Sequence, residues 1–222
     1  PQNSATYNGV TTNAARMFDS IVPGRQRDRP YYESGLVAGL KKEVQPGDDV
    51  VIIGGGWGVT AVHAANIVGD AGTVTVFEGS ASEIETLKET FALNGVKNRV
   101  NIYHSVVGKV ISLRGAAADA NQRSPEDIPS CDVLELDCEG SEVGILENLS
   151  ISPRSIIVET HGMNSAPPDR IRELLRNNSY MVQSEVIADE GGQVRGYCEL
   201  NNIYVLTARR TDARHNPDVD RQ

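Results

Sequence analysis

Between residues 34 and 208 the chain alternates short β-branched runs with longer stretches whose apolar positions recur every three or four residues. Leu36, Leu40 and Val44 share one helical face before "QPGDD" turns the chain. "DVVIIG" then predicts a strand, "VTAVHAANIV" a helix, "TVTVFE" a strand and "SASEIETLKETFALNG" a second helix. In that helix Ser80 and Glu83 form a capping-box pair, Ile84, Leu87 and Phe91 line one face, and Asn94-Gly95 supplies a left-handed stop. "RVNIYH", "CDVLELD" and "SIIVET" predict further strands, with helices over "SEVGILENL" and "PPDRIRELLRNN". Continuous apolar strands alternating with amphipathic helices imply a parallel sheet covered on both faces.

The ending differs. "YMVQSEVIAD" and "NNIYVLTA" are strand-like with no helical pattern in the intervening "EGGQVRGYCEL", which predicts a C-terminal antiparallel hairpin. The expected architecture is α/β: a Rossmann-like, seven-stranded, mostly parallel sheet with helices on both faces. It occupies residues 31–208, with a polar irregular segment over 1–30 and a flexible tail over 209–222. "GAAADANQRSPEDIPS" is the one long loop within the body, and its stretch from about 115 to 130 is a candidate lid or substrate loop.

Composition narrows the partners. A chain of 222 residues, 39% hydrophobic, is long enough for one domain with its own core. Thirty acids against 21 bases leave a formal charge of −9, which repels phosphate backbones and anionic lipid. The expectation is a small-molecule partner, with neither nucleic acid nor membrane. Cys131, Cys138 and Cys198 form no CxxC pair, and their odd number fits a reducing compartment. No apolar run approaches the roughly 20 residues a membrane helix needs, and no leader opens the chain, so the expected location is cytoplasmic.

In an open parallel sheet, ligands bind beyond the carboxyl ends of the strands, where strand order reverses. The residues at those ends are Gly54, Gly55, Gly56, Trp57 and Gly58, then Glu78, then His104 and Ser105, then Asp137 to Glu139, then Glu159 to His161. Gly54, Gly56 and Gly58 spell GxGxG rather than the GxGxxG of a dinucleotide site. Glu78 follows about 20 residues on, where a carboxylate can accept the hydroxyls of a ribose. A glycine loop joined to that acid indicates an adenosyl ligand, with its other end running along the glycines. Trp57 is placed either to close over that ligand or to fill space under the first helix.

Four blocks carry a family resemblance: "VVIIGGGWGVTAVHAA", "VFEGSASEIETLKETFALNGVKNRVNIYHSVVG", "DVLELDCEGSEVGILENL" and "IIVETH". Together they resemble the FkbM-type methyltransferases, class I enzymes that use S-adenosylmethionine and mostly methylate hydroxyls of sugars or natural products. The resemblance implies a cofactor site at Gly54, Gly55, Gly56, Trp57, Gly58, Glu78, Gly79, Ser105 and Val106. It also implies an active edge at Asp137, Glu139 and His161, acting on a small-molecule or glycan acceptor.

One position departs from the pattern. The family has an acid two residues before the first glycine, where it helps hold the cofactor's ammonium group; this chain has Ile52. Methyl transfer is an in-line attack that needs a positioned hydroxyl and an acceptor for its proton. Asp137 and Glu139 suit that role, and His161 is a second candidate base that Glu159 would orient. Glu142 reads chiefly as a helix N-terminal acid. No metal is expected, because the fifth strand ends in Glu159-Thr160-His161 rather than in an acid–amide pair suited to Mg²⁺. Two other functions compete: a nicotinamide-dependent oxidoreductase, and a cofactor-binding module without catalysis.

Overall fold

The computed structural model describes residues 4–13, 28–109 and 119–211. A small sheet of β1 (Ala5–Tyr7), β2 (Val10–Thr12) and β3 (Asp28–Arg29) precedes helix α1 (Ser34–Glu43). There follow β4 (Asp49–Ile53), α2 (Val59–Val68), β5 (Thr73–Glu78), α3 (Ala81–Leu93) and β6 (Val100–Val107). The second half holds β7 (Asn121–Arg123), β8 (Val133–Leu136), α4 (Glu142–Glu147), β9 (Ser155–Glu159), α5 (Pro168–Asn177), β10 (Tyr180–Ile187), α6 (Gly192–Asn201) and β11 (Tyr204–Arg210).

The seven expected strands and one more join one sheet in the order β10-β11-β9-β8-β4-β5-β6-β7. All neighbours are parallel except β11, which runs antiparallel to both β10 and β9. The sheet therefore has eight strands rather than seven. The added edge strand β7, "NQR", has no apolar residue and only its backbone pairing to β6 marks it. β10 and β11 pair as predicted, but they are not a simple hairpin, because α6 lies between them. Its Gly192 and Gly196 conceal the helix in the sequence.

Alternation along the strands divides the core. Val50 and Ile52 of β4 face a layer containing α1, α2 and α3, whereas Val51 and Ile53 face the layer of α4 and α5. Strand order reverses between β4 and β8, so the loops after these two strands splay apart and form a crevice.

The first residues are not merely polar and irregular. Tyr7 is fully buried, and β2 is fastened to α3: Thr11 N–H donates to Asn94 Oδ1 and Thr90 Oγ1 donates to Thr12 Oγ1. The expected lid falls partly outside the described residues. Its described part holds β7 and a single 3₁₀ turn, Pro125–Asp127, capped by Ser124. The tail from residue 212 also lies outside them.

Candidate functional site

The crevice between β4 and β8 is a cleft of about 240 Å³. Gly54, Gly56, Glu78, Gly79, Ser105, Val106, Asp137 and Glu139 all line it, as expected from the strand ends. Gly55, Trp57 and Gly58 do not.

The glycines prove to have different reasons for being there. At Gly54, φ is +95° and a Cβ would stand 1.7 Å from the Asp137 carbonyl oxygen, so the acid loop itself forbids a side chain. At Gly58, φ is +85° and a Cβ would press within 2.9 Å of Leu87 and Phe91. Only Gly56 opens onto free space, with Glu33 Oε1 at 4.0 Å as its nearest neighbour. Two of these glycines thus make room for the protein, and one leaves room for a ligand.

Trp57 packs rather than covers the cleft. Its ring stacks on Tyr32 at 5.5 Å and 7°, and Tyr7 meets both rings edge-on at 5.2 and 5.0 Å. This aromatic trio pins the glycine loop to the N-terminal strands.

Glu78 is almost fully engaged. Its Oε2 accepts the N–H groups of Gly55 (3.0 Å) and Gly56 (3.1 Å), and its Oε1 accepts that of Ser80 (2.7 Å). A carboxylate offers about four acceptor positions. Three are taken, so the acid that was expected to receive a ribose also ties the glycine loop to β5. To accept both hydroxyls of a ribose it must release a loop amide.

On the other side, "DCEG" turns with Glu139 at φ +54° and Gly140 at +110°. Left-handed backbone at a non-glycine residue costs about 1–3 kcal/mol and concentrates at working sites. The turn is built around Glu142, which is fully buried and accepts the N–H groups of Cys138 and Gly140, each at 2.8 Å. Glu142 is therefore more than a helix-end acid.

His161 sits at the centre of four carboxylates. Its Nδ1 is 3.0 Å from Glu142, close enough for charge pairing though not aligned as a linear hydrogen bond. Its Nε2 is 3.5 Å from Asp137, 3.6 Å from Glu159 and 3.7 Å from Glu139. Burial by itself lowers the imidazole pKa, but contact with Glu142 and the charges of Asp137, Glu142 and Glu159 outweigh it and raise it to about 10. Burial pushes Glu142 up, yet His161, together with the backbone N–H groups of Glu142 itself and Cys138, brings it below its ordinary value. Burial and the Asp137 charge hold Glu159 well above the usual carboxylate range. At neutral pH His161 is thus an imidazolium within this cluster, and burial favours the neutral form of Glu159. This changes the expected role of His161: a ring that is already charged does not take a proton.

Asp137, Glu159 and His161 also bring one ligand atom each within 4.8 Å of one another, a spacing that suits a cation despite the missing acid–amide pair. A second cleft of about 100 Å³ opens beside His161, lined also by Glu139, Met163, Tyr197 and Ile203. Met163 and Tyr197 are mostly exposed at its edge. Several cleft residues carry no signal in the sequence, because only the fold brings them there: Tyr32 and Glu33 before α1, and Tyr197 and Cys198 on α6.

Ile52 is fully buried, facing the α1–α3 layer. Its ladder partner on β8 is Glu135, which is also fully buried. The sheet thus carries an acid on the same face one strand away from the position where one was expected. Glu135 does not line the cleft.

The sheet order, its antiparallel penultimate strand and the crevice at the switch point define a Rossmann-like methyltransferase fold. No protein-family model and no curated protein matches the chain by sequence. Solved structures do match by shape. The ribosomal protein L11 methylase of Lactobacillus delbrueckii subsp. bulgaricus is 16% identical, with 88% of this chain and 91% of that one covered at a TM-score of 0.56. A SAM-dependent O-methyltransferase of Thermotoga maritima is 15% identical over 90% and 73%, at 0.55. The fibrillarin pre-rRNA processing protein of Methanococcus jannaschii is 12% identical over 76% and 68%, at 0.51. At these identities the likeness is one of fold.

Proposed function

We propose that this protein is an S-adenosylmethionine-dependent methyltransferase that methylates a hydroxyl of a small molecule or glycan, in the manner of the FkbM type. One observation carries the reading: a cleft that meets an open glycine turn and Glu78 at one side meets the Asp137–Glu139–His161 cluster at the other. The residues present fit the cofactor. Gly56 leaves its backbone accessible, Glu78 stands at the strand end with an acceptor position to spare, and Ser105 and Val106 close the wall.

When bound, the cofactor supplies an electrophilic methyl on a sulfonium centre. The chain supplies the rest. The second cleft, which shares Glu139, Tyr197 and Ile203 with the first, would receive the acceptor. The chain's part would be to hold the acceptor hydroxyl towards that methyl group and to take up its proton. The hydroxyl proton passes to a carboxylate, for which Asp137 is the better placed, with Glu139 beside it. His161 acts as a positioning residue: held cationic by Glu142, it faces Asp137 and Glu139 and keeps both carboxylates in place.

The acidic surface and acid-lined cleft favour an acceptor that is not a polyanion. The rRNA-processing neighbour shows that the fold alone does not exclude nucleic acid. The test is incubation with S-adenosylmethionine against pools of hydroxylated metabolites, glycans and RNA, with mass spectrometry of products. The reading expects acceptors 14 Da heavier together with S-adenosylhomocysteine, and no oxidation of NADH. Methylation confined to RNA, or nicotinamide turnover, would contradict it.

A further inference from the structure

Among the described residues, the walls of the two clefts hold seven carboxyl groups and neither a lysine nor an arginine. Glu78 and Glu83 stand on the side of the glycine loop, Glu33 and Asp189 beside α1 and α6, and Asp137, Glu139 and Glu159 around His161. These acids have partners within the protein, and the electrostatics do not require any of them to be idle, because the field inside a cleft sums the charges of all its walls. The charge of the His161 imidazolium is turned inward, onto Asp137, Glu139, Glu142 and Glu159. Even with Glu159 favoured neutral, one imidazolium and the single net positive charge of the cofactor do not offset such a lining. An anionic acceptor is repelled from this space and a cationic one is drawn in.

A second observation, independent of charge, points the same way. Tyr197 on α6 lines both clefts, together with Glu139 and Ile203, and is 58% exposed. Tyr7, Tyr32 and Trp57 pack on one another, whereas the Tyr197 side chain has no ring contact and no hydrogen bond among the described residues. An aromatic face left open beside carboxyl groups is the combination that binds an alkylammonium, the ring through its quadrupole and the acids through their charge. We propose that the acceptor is a hydroxy compound carrying a protonated amine, and that Tyr197 sets this specificity by receiving the ammonium on its ring face, beside Glu139. This rests on the methyltransferase reading above and narrows its acceptor. With the amine held where the two clefts meet, the hydroxyl is directed into the first cleft, towards Asp137.

Calorimetric titration of the protein saturated with S-adenosylhomocysteine tests it with three probes that share a hydroxyphenyl body: tyramine, a cation, tyrosol, which is neutral, and 4-hydroxyphenylacetate, an anion. Tyramine should bind at least about tenfold more tightly than tyrosol, and 4-hydroxyphenylacetate more weakly than either. Tyr197→Leu should weaken tyramine about 5- to 30-fold, whereas Tyr197→Phe, which keeps the ring face, should stay within about threefold of the unaltered protein. Both variants should keep its melting temperature, because the ring is exposed and packs on no other ring. Equal affinity for the three probes, a preference for tyrosol or 4-hydroxyphenylacetate, or no binding of any probe at millimolar concentration would overturn the proposal and leave the cofactor reading standing. A loss in Tyr197→Phe as large as that in Tyr197→Leu, or none in either, would overturn the assignment to the ring of Tyr197. Failure of the unaltered protein to bind S-adenosylhomocysteine would overturn the proposal together with the cofactor reading.

Discussion

Glu135 lies in the middle of the sheet with no accessible surface, and neither of its carboxyl oxygens has a hydrogen bond of good geometry among the described residues. Burial pushes its pKa up to about 8; the Thr60 hydroxyl opposes the rise, and the charges of Glu33 and Asp137 add to it. The unfolded chain releases this proton near 4.5, whereas the folded protein holds it until about 8. Between those values the folded state binds more protons than the unfolded state, so stability falls as pH rises. Above 8 the loss is complete, at about 3 to 5 kcal/mol. Glu135→Gln keeps the shape and removes the ionisation. It should match the wild type at pH 4 and exceed it at pH 8 by an amount on the order of 10 °C in melting temperature for a chain of this length. Thermal unfolding followed by circular dichroism from pH 4 to pH 9 measures the difference. A variant equal to or less stable than the wild type at pH 8 would show that Glu135 is ionised and paired in the folded protein, and would refute the reasoning.

Four further outcomes follow from the same geometry. Ile52→Asp, which introduces the acid of the resembled FkbM pattern, places a second carboxylate beside Glu135 in a sealed core; it should cost at least about 3 kcal/mol in denaturant unfolding rather than improve cofactor binding. Gly54→Ala drives a Cβ into the Asp137 carbonyl and should destabilise by roughly 3 kcal/mol or more, whereas Gly56→Ala, with open space around it, should cost about 1–2 kcal/mol and act mainly on ligand affinity. His161→Gln removes a cation whose folded pKa is raised, so its stability deficit should be fully present below pH 6.5 and shrink as pH approaches 10, as read from melting temperatures. Chelation by EDTA should leave methyl transfer unchanged; a strict requirement for Mg²⁺ would instead assign the Asp137–Glu159–His161 trio to a metal.

Much of the scaffold is legible in the chain because buried parallel strands demand continuous apolar runs: "DVVII", "TVTVFE" and "SIIVE" each mark a strand to within a residue. What escapes is structure that depends on partners rather than pattern. β7 is polar and exists through pairing with β6, and α6 begins with Gly192 and carries Gly196. The strands β1 and β2 are three residues each, too short for a period to show. The same division runs through the site. Gly56, Glu78 and Asp137 are visible because strand ends converge in any such sheet. Glu33 is not, because its place over Gly56 depends on how α1 docks. His161 was visible, but its charge was not: the four carboxylates around it come from three different segments of the chain.

The central claim is that the crevice between β4 and β8 holds an adenosyl cofactor. Isothermal titration of the unaltered protein with S-adenosylhomocysteine tests it most directly. The account predicts saturable binding at one site per chain with a Kd of about 100 μM or tighter, corresponding to roughly 5.5 kcal/mol or more. It also predicts that Glu78→Gln, which strips the glycine loop of an anionic anchor, weakens that binding at least about tenfold. No detectable heat or displacement at millimolar ligand, with the protein shown to be folded, would contradict it.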